Sequence, residues 1–262
     1  MSAVATLLTR QLRDLIRGRA ILGYAAFLAL STWGLLHFGG GADRALPSLA
    51  TLIVLVVPLV SLLISTTFLY HSGDFIELLL SHPVGRRPLF ASLYLGVTGS
   101  LTAAFGAGLV IPLLAAGIPD GRAGAVALLV LAGVFLTAVF TSLGFLVGFR
   151  VDEPARGNGI ALSIWLALAV LYDGLVLFAA YQWAAYPLEK PMLALMALNP
   201  VDVARVLVIM ALDASAMMGY TGAVFQDFFG GGAGVLLALA CLSAWAILPG
   251  LAALRVFLRK DF

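Results

Sequence analysis

Six long apolar runs, separated by short polar segments, are the feature that most restricts how this chain can fold. A helix needs about 20 apolar residues to cross the hydrocarbon core of a bilayer. Six segments reach that length, at roughly 20–38, 48–71, 89–117, 125–149, 159–181 and 233–257. Because lipid cannot hydrogen-bond to the backbone, each run must be helical through the membrane. The sequence therefore predicts an all-α polytopic membrane protein with six transmembrane helices.

The composition excludes a water-soluble globule. Of the 262 residues, 62% are hydrophobic and only 11% are charged, whereas a soluble domain carries about 25% charged residues. So few charged side chains cannot cover a soluble surface. The single cysteine, Cys241, also excludes an intramolecular disulfide and a zinc site built on cysteines.

The positions of lysine and arginine predict the orientation, because these residues concentrate in cytoplasmic segments. If the N-terminus is cytoplasmic, 11 of them lie inside, at Arg10, Arg13, Arg17, Arg19, Arg86, Arg87, Arg150, Arg156, Arg255, Arg259 and Lys260. The other 4 lie outside, at Arg44, Arg122, Lys190 and Arg205. Both termini are therefore predicted to be cytoplasmic.

The segment before the first span has an amphipathic pattern. Within residues 1–19, apolar side chains fall on one helical face and arginines on the other, at Leu8, Leu12, Leu15 and Ile16 against Arg10, Arg13 and Arg17. This pattern is typical of a helix that lies in the membrane interface with its arginines toward anionic head groups. Simple flanking charge beside the first span is the alternative.

The segment 182–232 is the longest connection, and we expect it on the outer side. A connection of this length is usually functional. Inside it, Asn199 suits a helix cap, Pro200 suits the first turn and Asp202 complements the positive helix N-terminus. The apolar run that follows is too short to span, so we expect this helix to lie at the outer interface or to dip into it.

The loop 72–88, on the cytoplasmic side, contains the stretch "DFIELLLSHPVGRR" at residues 74–87. Its apolar core, Leu78-Leu79-Leu80, is far too short to cross a bilayer. Three leucines between two acids and two arginines are also unusual for a loop that only connects two spans. The stretch therefore predicts a short amphipathic element that offers leucines to a partner.

Few residues in the spans could carry chemistry. Nucleotide-binding and hydrolase motifs such as GxxxxGK[ST], HExxH and GxSxG do not occur in the sequence, which predicts no catalytic residues and no cofactor bound by this chain. Asp173 is the one acid well inside a predicted span, where such residues usually face a bundle interior or a cavity. It could serve a transport path or a switchable bond between helices, or it could be a structural hydrogen-bonding residue.

The methionines also cluster. Apart from Met1 they all fall in the outer segment, at Met192, Met196, Met210, Met217 and Met218. Thioethers bind Cu(I), but methionine is more often adaptable packing or a partner contact. We predict no metal site from them.

The loop stretch, the six spans and the N-terminal amphipathic segment together resemble the membrane subunits of ABC-2 (type V) ABC transporters. These subunits are similar to one another around a Leu-Glu-Leu-Leu-Leu-Ser-x-Pro-Val-x-Arg run, which is matched here at Ile76, Glu77, Leu78, Leu79, Leu80, Ser81, Pro83, Val84 and Arg86. The match departs where the family commonly has Gly-Thr, since Asp74-Phe75 stand there. Within the superfamily, the chain is most similar to the permeases of nitrous-oxide-reductase maturation transporters, through "HPVGR", the fifth span with its aspartate, "LNPVDVAR" and the glycine-rich entry to the sixth span.

The resemblance implies a non-catalytic permease in the bacterial inner membrane. It implies a homodimer of this chain, two cytoplasmic ABC ATPase subunits that bind ATP and Mg, and a periplasmic β-helical accessory protein on segment 182–232, serving the copper–sulfur centre of nitrous oxide reductase. The implied coupling residues are Asp74, Glu77, Leu78, Leu79, Leu80, Ser81, Pro83, Arg86 and Arg87. The implied outer partner contacts are Asn199, Pro200, Asp202, Arg205, Met217 and Met218.

Other functions remain open from the residues alone. An ABC-2 exporter of a lipid, drug or other small molecule would share the cytoplasmic motif. An integral membrane enzyme would need polar residues that converge at one depth. A secondary transporter would normally show intramembrane charges and internal repeats.

Overall fold

The computed structural model describes residues 18–39, 42–81, 85–118, 122–182, 194–211 and 232–260, and the regular elements in these ranges are all helical. In chain order they are α1 (Arg19–Phe38), α2 (Ala42–His71), α3 (Gly73–Leu80), α4 (Arg86–Ala116), α5 (Ala123–Arg150), α6 (Pro154–Gln182), α7 (Pro200–Ala211) and α8 (Gly232–Arg259). Helix α6 contains one π-helical turn, at Ala167–Leu171.

Six of these helices, α1, α2, α4, α5, α6 and α8, are long and apolar enough to cross a membrane. They coincide with the six predicted runs, so the prediction of an all-α polytopic membrane protein is confirmed. Most of the predicted interfacial helix over 1–19 lies outside the described residues, as do Pro83, Met217 and Met218.

Helix α5 lies at the centre of the bundle. It packs along α2 and α8 most extensively, and also against α4, α6 and α7. Glycine, alanine, serine and threonine occupy many of its buried positions. Small side chains of this kind allow close approach of neighbouring helices in a membrane, where association depends on packing and hydrogen bonds rather than on the hydrophobic effect.

The approach of α2 to α5 is closest at Gly144 and Gly148. A Cβ at Gly144 would lie 3.0 Å from the carbonyl oxygen of Leu62, and one at Gly148 would lie 2.8 Å from a methyl carbon of Leu69. The Gly-xxx-Gly spacing in the sequence predicts such packing without identifying the neighbour. The structure places the neighbour in the same chain.

Side-chain hydroxyls join α4, α5 and α8 near the middle of the bundle. Ser142 donates to the carbonyl oxygen of Ala246 in α8 at 2.8 Å. The hydroxyl of Tyr94 in α4 lies 2.9 Å from that of Ser142. A hydrogen bond between helices satisfies polar groups that lipid would leave without partners.

An aromatic cluster holds the same three helices together at the end where α3 lies. Phe90 of α4, Phe149 of α5 and Phe257 of α8 meet here, and the last two rings are 4.9 Å apart. Phe257 is fully buried. We call this end of the bundle, where α2, α5 and α8 end and α4 begins, the α3 end.

The packing of α1 against α4 gives a direct test of helix proximity. At Gly108 an added Cβ would lie 2.7 Å from the Cβ of Leu28 and 2.9 Å from the carbonyl oxygen of Ala25, whereas Gly106 of the same helix has open space around it. Gly108→Ala is expected to destabilise the protein by about 1–3 kcal/mol, the usual cost of overpacking. Gly106→Ala is the matched control and should be neutral or slightly stabilising, because alanine favours a helix more than glycine does. Thermal unfolding in detergent measures both, and equal melting temperatures would contradict this packing.

Candidate functional site

Helix α3 is amphipathic, and one of its faces packs onto the transmembrane bundle. Ile76 is 1% exposed and belongs to the main apolar core. Leu79 and Leu80 are half-buried and pack against that core. These three residues have the i, i+3, i+4 spacing of one helical face, so burial of this face fixes the orientation of α3.

The opposite face of α3 is exposed. It carries Phe75, which is 47% exposed, and Leu78, which is 58% exposed. Two acids, Asp74 and Glu77, and the exposed Ser81 flank these apolar groups. Apolar side chains surrounded by charges on a fixed helix are typical of a protein-binding surface. We call residues 74, 75, 77, 78 and 81 the α3 surface.

Within residues 74–81, the α3 surface differs at three positions from the set expected from the sequence. Leu79 and Leu80 are half-buried against the bundle, because a helix of this length divides its side chains between two faces. Phe75 is exposed beside Leu78 and was missed. Its three-residue spacing from Leu78 is the signal that could have identified it.

Two arginines follow α3, and their side chains have different surroundings. Arg87 is exposed. Arg86 is half-buried, and its Nη1 donates to the backbone oxygens of Leu258 and Lys260, at 3.0 and 2.9 Å. The described contacts of Arg86 are therefore made within the chain, at the end of α8.

Away from the α3 end, beside the middle of α6 and of α8, α7 begins as its sequence predicts. Asn199 caps the helix, since its Oδ1 accepts a hydrogen bond from the backbone N–H of Val201 at 3.0 Å. Its Nδ2 donates to the carbonyl oxygen of Leu168 at 2.8 Å. Leu168 lies in the π-helical turn of α6, where the change of hydrogen-bonding register alters the partners of the carbonyls. Asn199 thus joins the start of α7 to the irregular turn of α6.

Helix α7 packs against α5, α8 and α2 rather than lying free at a membrane surface. Val201, Ala204 and Leu207 on its inner face are buried. The residues just before it are also held, because Tyr172 of α6 donates to the carbonyl oxygen of Leu195 at 2.6 Å. Trp245 of α8 donates to that of Ala197 at 3.1 Å.

This packing brings two acids and one arginine together. Asp173 in α6 and Arg205 in α7 form an ion pair with 2.6 Å between Oδ2 and Nη1, and their side chains are 38% and 33% exposed. Arg205 also lies 3.4 Å from Oδ1 of Asp202, one helical turn earlier. We call Asp173, Asn199, Asp202 and Arg205 the polar cluster.

The pKa of Asp202 is raised to about 7. Burial of the carboxyl group is the largest cause, and the neighbouring Asp173 carboxyl raises the pKa further. Arg205 and Asn199 act in the opposite direction, because they stabilise the charged form. Burial beside a second carboxyl group therefore brings the pKa of Asp202 close to neutral pH.

The structure brings together four of the six residues expected to contact an outer partner. Asn199 and Pro200 are buried in the chain, whereas Asp202 and Arg205 are partly exposed. Sequence reasoning treated Asp173 as solitary and missed its arginine, which stands in a separate segment. Within the described ranges, no group of three His, Cys, Asp or Glu residues is arranged to hold a metal ion.

The raised pKa of Asp202 predicts a pH-dependent stability. Between an ordinary value of 3.8 and about 7, the folded chain keeps a proton that the unfolded chain releases. The stabilisation from this group is therefore full below pH 3.8 and is lost as the pH rises to about 7. Asp202→Asn should reduce the fall in melting temperature over this range and raise the melting temperature at pH 8. Glu153→Gln, at an exposed carboxyl group, is the control, and an unchanged slope in Asp202→Asn would contradict the assignment.

Comparison with known proteins agrees with this architecture. The family described as ABC-2 family transporter protein matches residues 43–262. The chain is similar to the "Probable ABC transporter permease protein NosY" of Pseudomonas aeruginosa, with 28% identity over 237 residues that cover 84% of this chain and 86% of the relative. It is also similar to the protein of the same name from Stutzerimonas stutzeri, with 26% identity over 278 aligned positions that cover 99% of each.

The family match includes the α3 surface, the polar cluster and five of the six spans. Six apolar helices, with α5 at the centre, are the architecture of a multi-pass membrane subunit. The chain therefore belongs to the ABC-2 family of transporters, as a permease subunit of an ABC transporter.

Proposed function

We propose that this permease converts ATP hydrolysis by a separate ABC ATPase into work on the extracytoplasmic side of the bacterial inner membrane. ATP and Mg bind to the ATPase, and this chain supplies no catalytic group or cofactor. The α3 surface receives the motion, the spans carry it, and the segment 182–232 delivers it. The domain is thus one transmembrane unit with an interfacial segment at 1–19, a coupling loop at 72–88 and an extracytoplasmic segment at 182–232.

The geometry of α3 is the observation that carries this proposal. A coupling element must present apolar groups to its partner and must also be attached firmly to what it moves. Phe75 and Leu78 satisfy the first condition, and the burial of Ile76 in the bundle core satisfies the second. The charges of Asp74 and Glu77 at the edge are suited to setting the register of a partner.

Charge placement supports the orientation in this proposal. Most of the lysines and arginines in the described ranges lie at the α3 end, including Arg86, Arg150, Arg255 and Lys260. By the positive-inside rule this end faces the cytoplasm, where an ATPase resides. The polar cluster then belongs to the extracytoplasmic side.

The proposed assembly contains two copies of this chain, two ATPase subunits and a periplasmic β-helical protein seated on segment 182–232. The resemblance to the nitrous-oxide-reductase maturation permeases suggests this composition, and the names of the two relatives, which read ABC transporter permease, support the ATPase partner. The work would then serve assembly of the copper–sulfur centre of nitrous oxide reductase. A partly exposed ion pair between α6 and α7, at Asp173 and Arg205, favours a protein or water neighbour over lipid at this point.

The coupling role predicts that charge reversal on the α3 surface separates the permease from its ATPase. Glu77→Arg and Leu78→Asp should abolish co-purification with the ABC ATPase, while membrane insertion and gel-filtration behaviour stay normal. Both side chains are exposed, so neither change disturbs the core. Leu79→Asp is less suited to this test, because Leu79 packs against the bundle.

Glu153→Arg provides the matched control for Glu77→Arg. Glu153 is exposed in the short link between α5 and α6, outside the α3 surface. This variant should keep the ATPase bound. Full co-purification of the Glu77→Arg and Leu78→Asp variants would remove the coupling role from α3.

The polar cluster predicts a variant that assembles but works poorly. Asp173→Asn keeps the size of the side chain and removes the charge that attracts Arg205. We expect normal assembly with the ATPase and a loss of activity by about fivefold or more, the range of typical coupling energies. Ser163→Ala is the control on the same helix, since Ser163 donates within α6 to Gly159. Full activity of Asp173→Asn would reduce Asp173 to a structural residue.

The maturation role is tested in the cell. Deletion of the reading frame should leave nitrous oxide reductase without its copper–sulfur centre, and the wild-type chain should restore it while the Glu77→Arg variant should not. A normal centre in the deletion strain, with loss of export of a lipid or drug instead, would favour a general ABC-2 exporter.

A further inference from the structure

The end of α8 is fastened to the start of α4 by Arg86. The last carbonyls of a helix lack partners within the helix and carry partial negative charge, so a cation is stabilised there. Arg86 reaches Leu258 near the end of α8 and Lys260 just beyond it, through two charge-assisted hydrogen bonds from one nitrogen. Arg86 is also the first residue of α4. It lies near the end of the loop 72–88, which contains α3 and which we call the α3 loop.

The residue that follows α8 makes a second attachment of the same kind. Lys260 Nζ donates to the carbonyl oxygen of Phe149 at the end of α5, at 3.3 Å, and to Oδ1 of Asp152 at 2.7 Å. The hydrogen bond and charge of Lys260 lower the pKa of Asp152. The cation after α8 thus caps α5 and reaches the link to α6.

Phe257 occupies the space beneath these two attachments. It is fully buried, with its ring 5.9 Å from that of Phe90 in α4 and 4.9 Å from that of Phe149 in α5. We call Arg86, Asp152, Phe257 and Lys260 the C-terminal clamp. Together they fix the end of α8 between the helix that follows α3 and the central helix of the bundle.

The other half of α8 is attached to the segment that precedes the polar cluster. Trp245 donates to the carbonyl oxygen of Ala197 at 3.1 Å, and the Cys241 thiol lies 3.3 Å from the same oxygen. Asn199, two residues later, caps α7. A single helix therefore links the C-terminal clamp to the start of α7.

We propose that Arg86 and Lys260 are positioning residues of the C-terminal clamp, through which α8 passes a displacement of the α3 loop to α7 on the extracytoplasmic side. This inference rests on the proposed coupling function and assigns Arg86 to transmission rather than to ATPase docking. Replacement of either cationic side chain should leave the ATPase bound. The structure around Ala197 should then no longer depend on which nucleotide the ATPase holds.

Cys241 is a native reporter for the test, because it is the one cysteine of the chain and lies beside Ala197. The complete permease–ATPase complex in lipid vesicles is treated with N-ethylmaleimide, once with ADP and once with ATP and vanadate. The modification rate of Cys241 is then read from the mass of this chain. In the wild type we expect the two rates to differ.

Arg86→Gln and Lys260→Met should each reduce the ratio of these two rates by about fivefold or to unity. Arg86→Lys should restore part of the difference, because it returns the charge without the guanidinium geometry. Arg259→Gln is the matched control, since it removes an exposed charge from the last turn of α8, and it should keep the wild-type ratio.

The outcomes separate this inference from the coupling function. An undiminished ratio in both Arg86→Gln and Lys260→Met, or equal rates in the wild type, would overturn transmission through α8 while the coupling role of α3 stands. Loss of the ATPase from Arg86→Gln would place Arg86 in the docking surface and overturn the clamp. Failure of the wild-type chain to bind an ATPase would overturn both.

Discussion

The close contact between α5 and its neighbours is the constraint on which the rest of this structure depends. In a bilayer, helices gain little from burying apolar side chains against each other, since lipid is equally apolar. They associate where backbones approach closely and where hydroxyl groups bond between helices. Gly144 and Gly148 allow the close approach of α5 to α2, and Ser142 makes the hydrogen bond to α8. Because these contacts use the backbone surface itself, α5 has little freedom to shift relative to α2 and α8.

In the proposed function, the tightly packed centre connects two sites that lie outside it. At the α3 end, α3 is seated by Ile76, and the ends of α5 and α8 are capped by side chains from other segments. These attachments act at helix termini, where carbonyls would otherwise need water. A force applied to α3 therefore meets a connected unit and not a loose loop. This is the mechanical property that a permease driven by a separate ATPase requires.

Most of the fold could be predicted from the sequence, because six uninterrupted apolar runs have one solution in a bilayer. The cap at Asn199 was also predictable, because Asn-Pro at a helix start has a defined backbone geometry. The partners of Arg86 and Asp173 were not predictable. Each depends on which helix ends meet in space, and Arg86 reaches Lys260 across 174 positions of sequence.

The amphipathic division of α3 lies between these two cases. The periodicity of Ile76, Leu79 and Leu80 is visible in the sequence, but three consecutive leucines hide it. A family motif states which residues recur and does not state which side chains face the bundle. Burial shows that Leu78 and Leu79, although adjacent, face different environments.

The π-helical turn in α6 explains why a polar cluster is tolerated near a membrane span. The change in register within Ala167–Leu171 alters the carbonyl partners, and Asn199 provides a donor to one of them, Leu168. If α7 moved away from α6, that contact and the ion pair between Asp173 and Arg205 would be lost together. Separation of the two helices would then leave several polar groups without partners at once, which costs free energy. The apolar packing of α7 against α5 adds to this cost. The two helices are therefore expected to move as one unit, so that a displacement of α7 by α8 also displaces the outer half of α6.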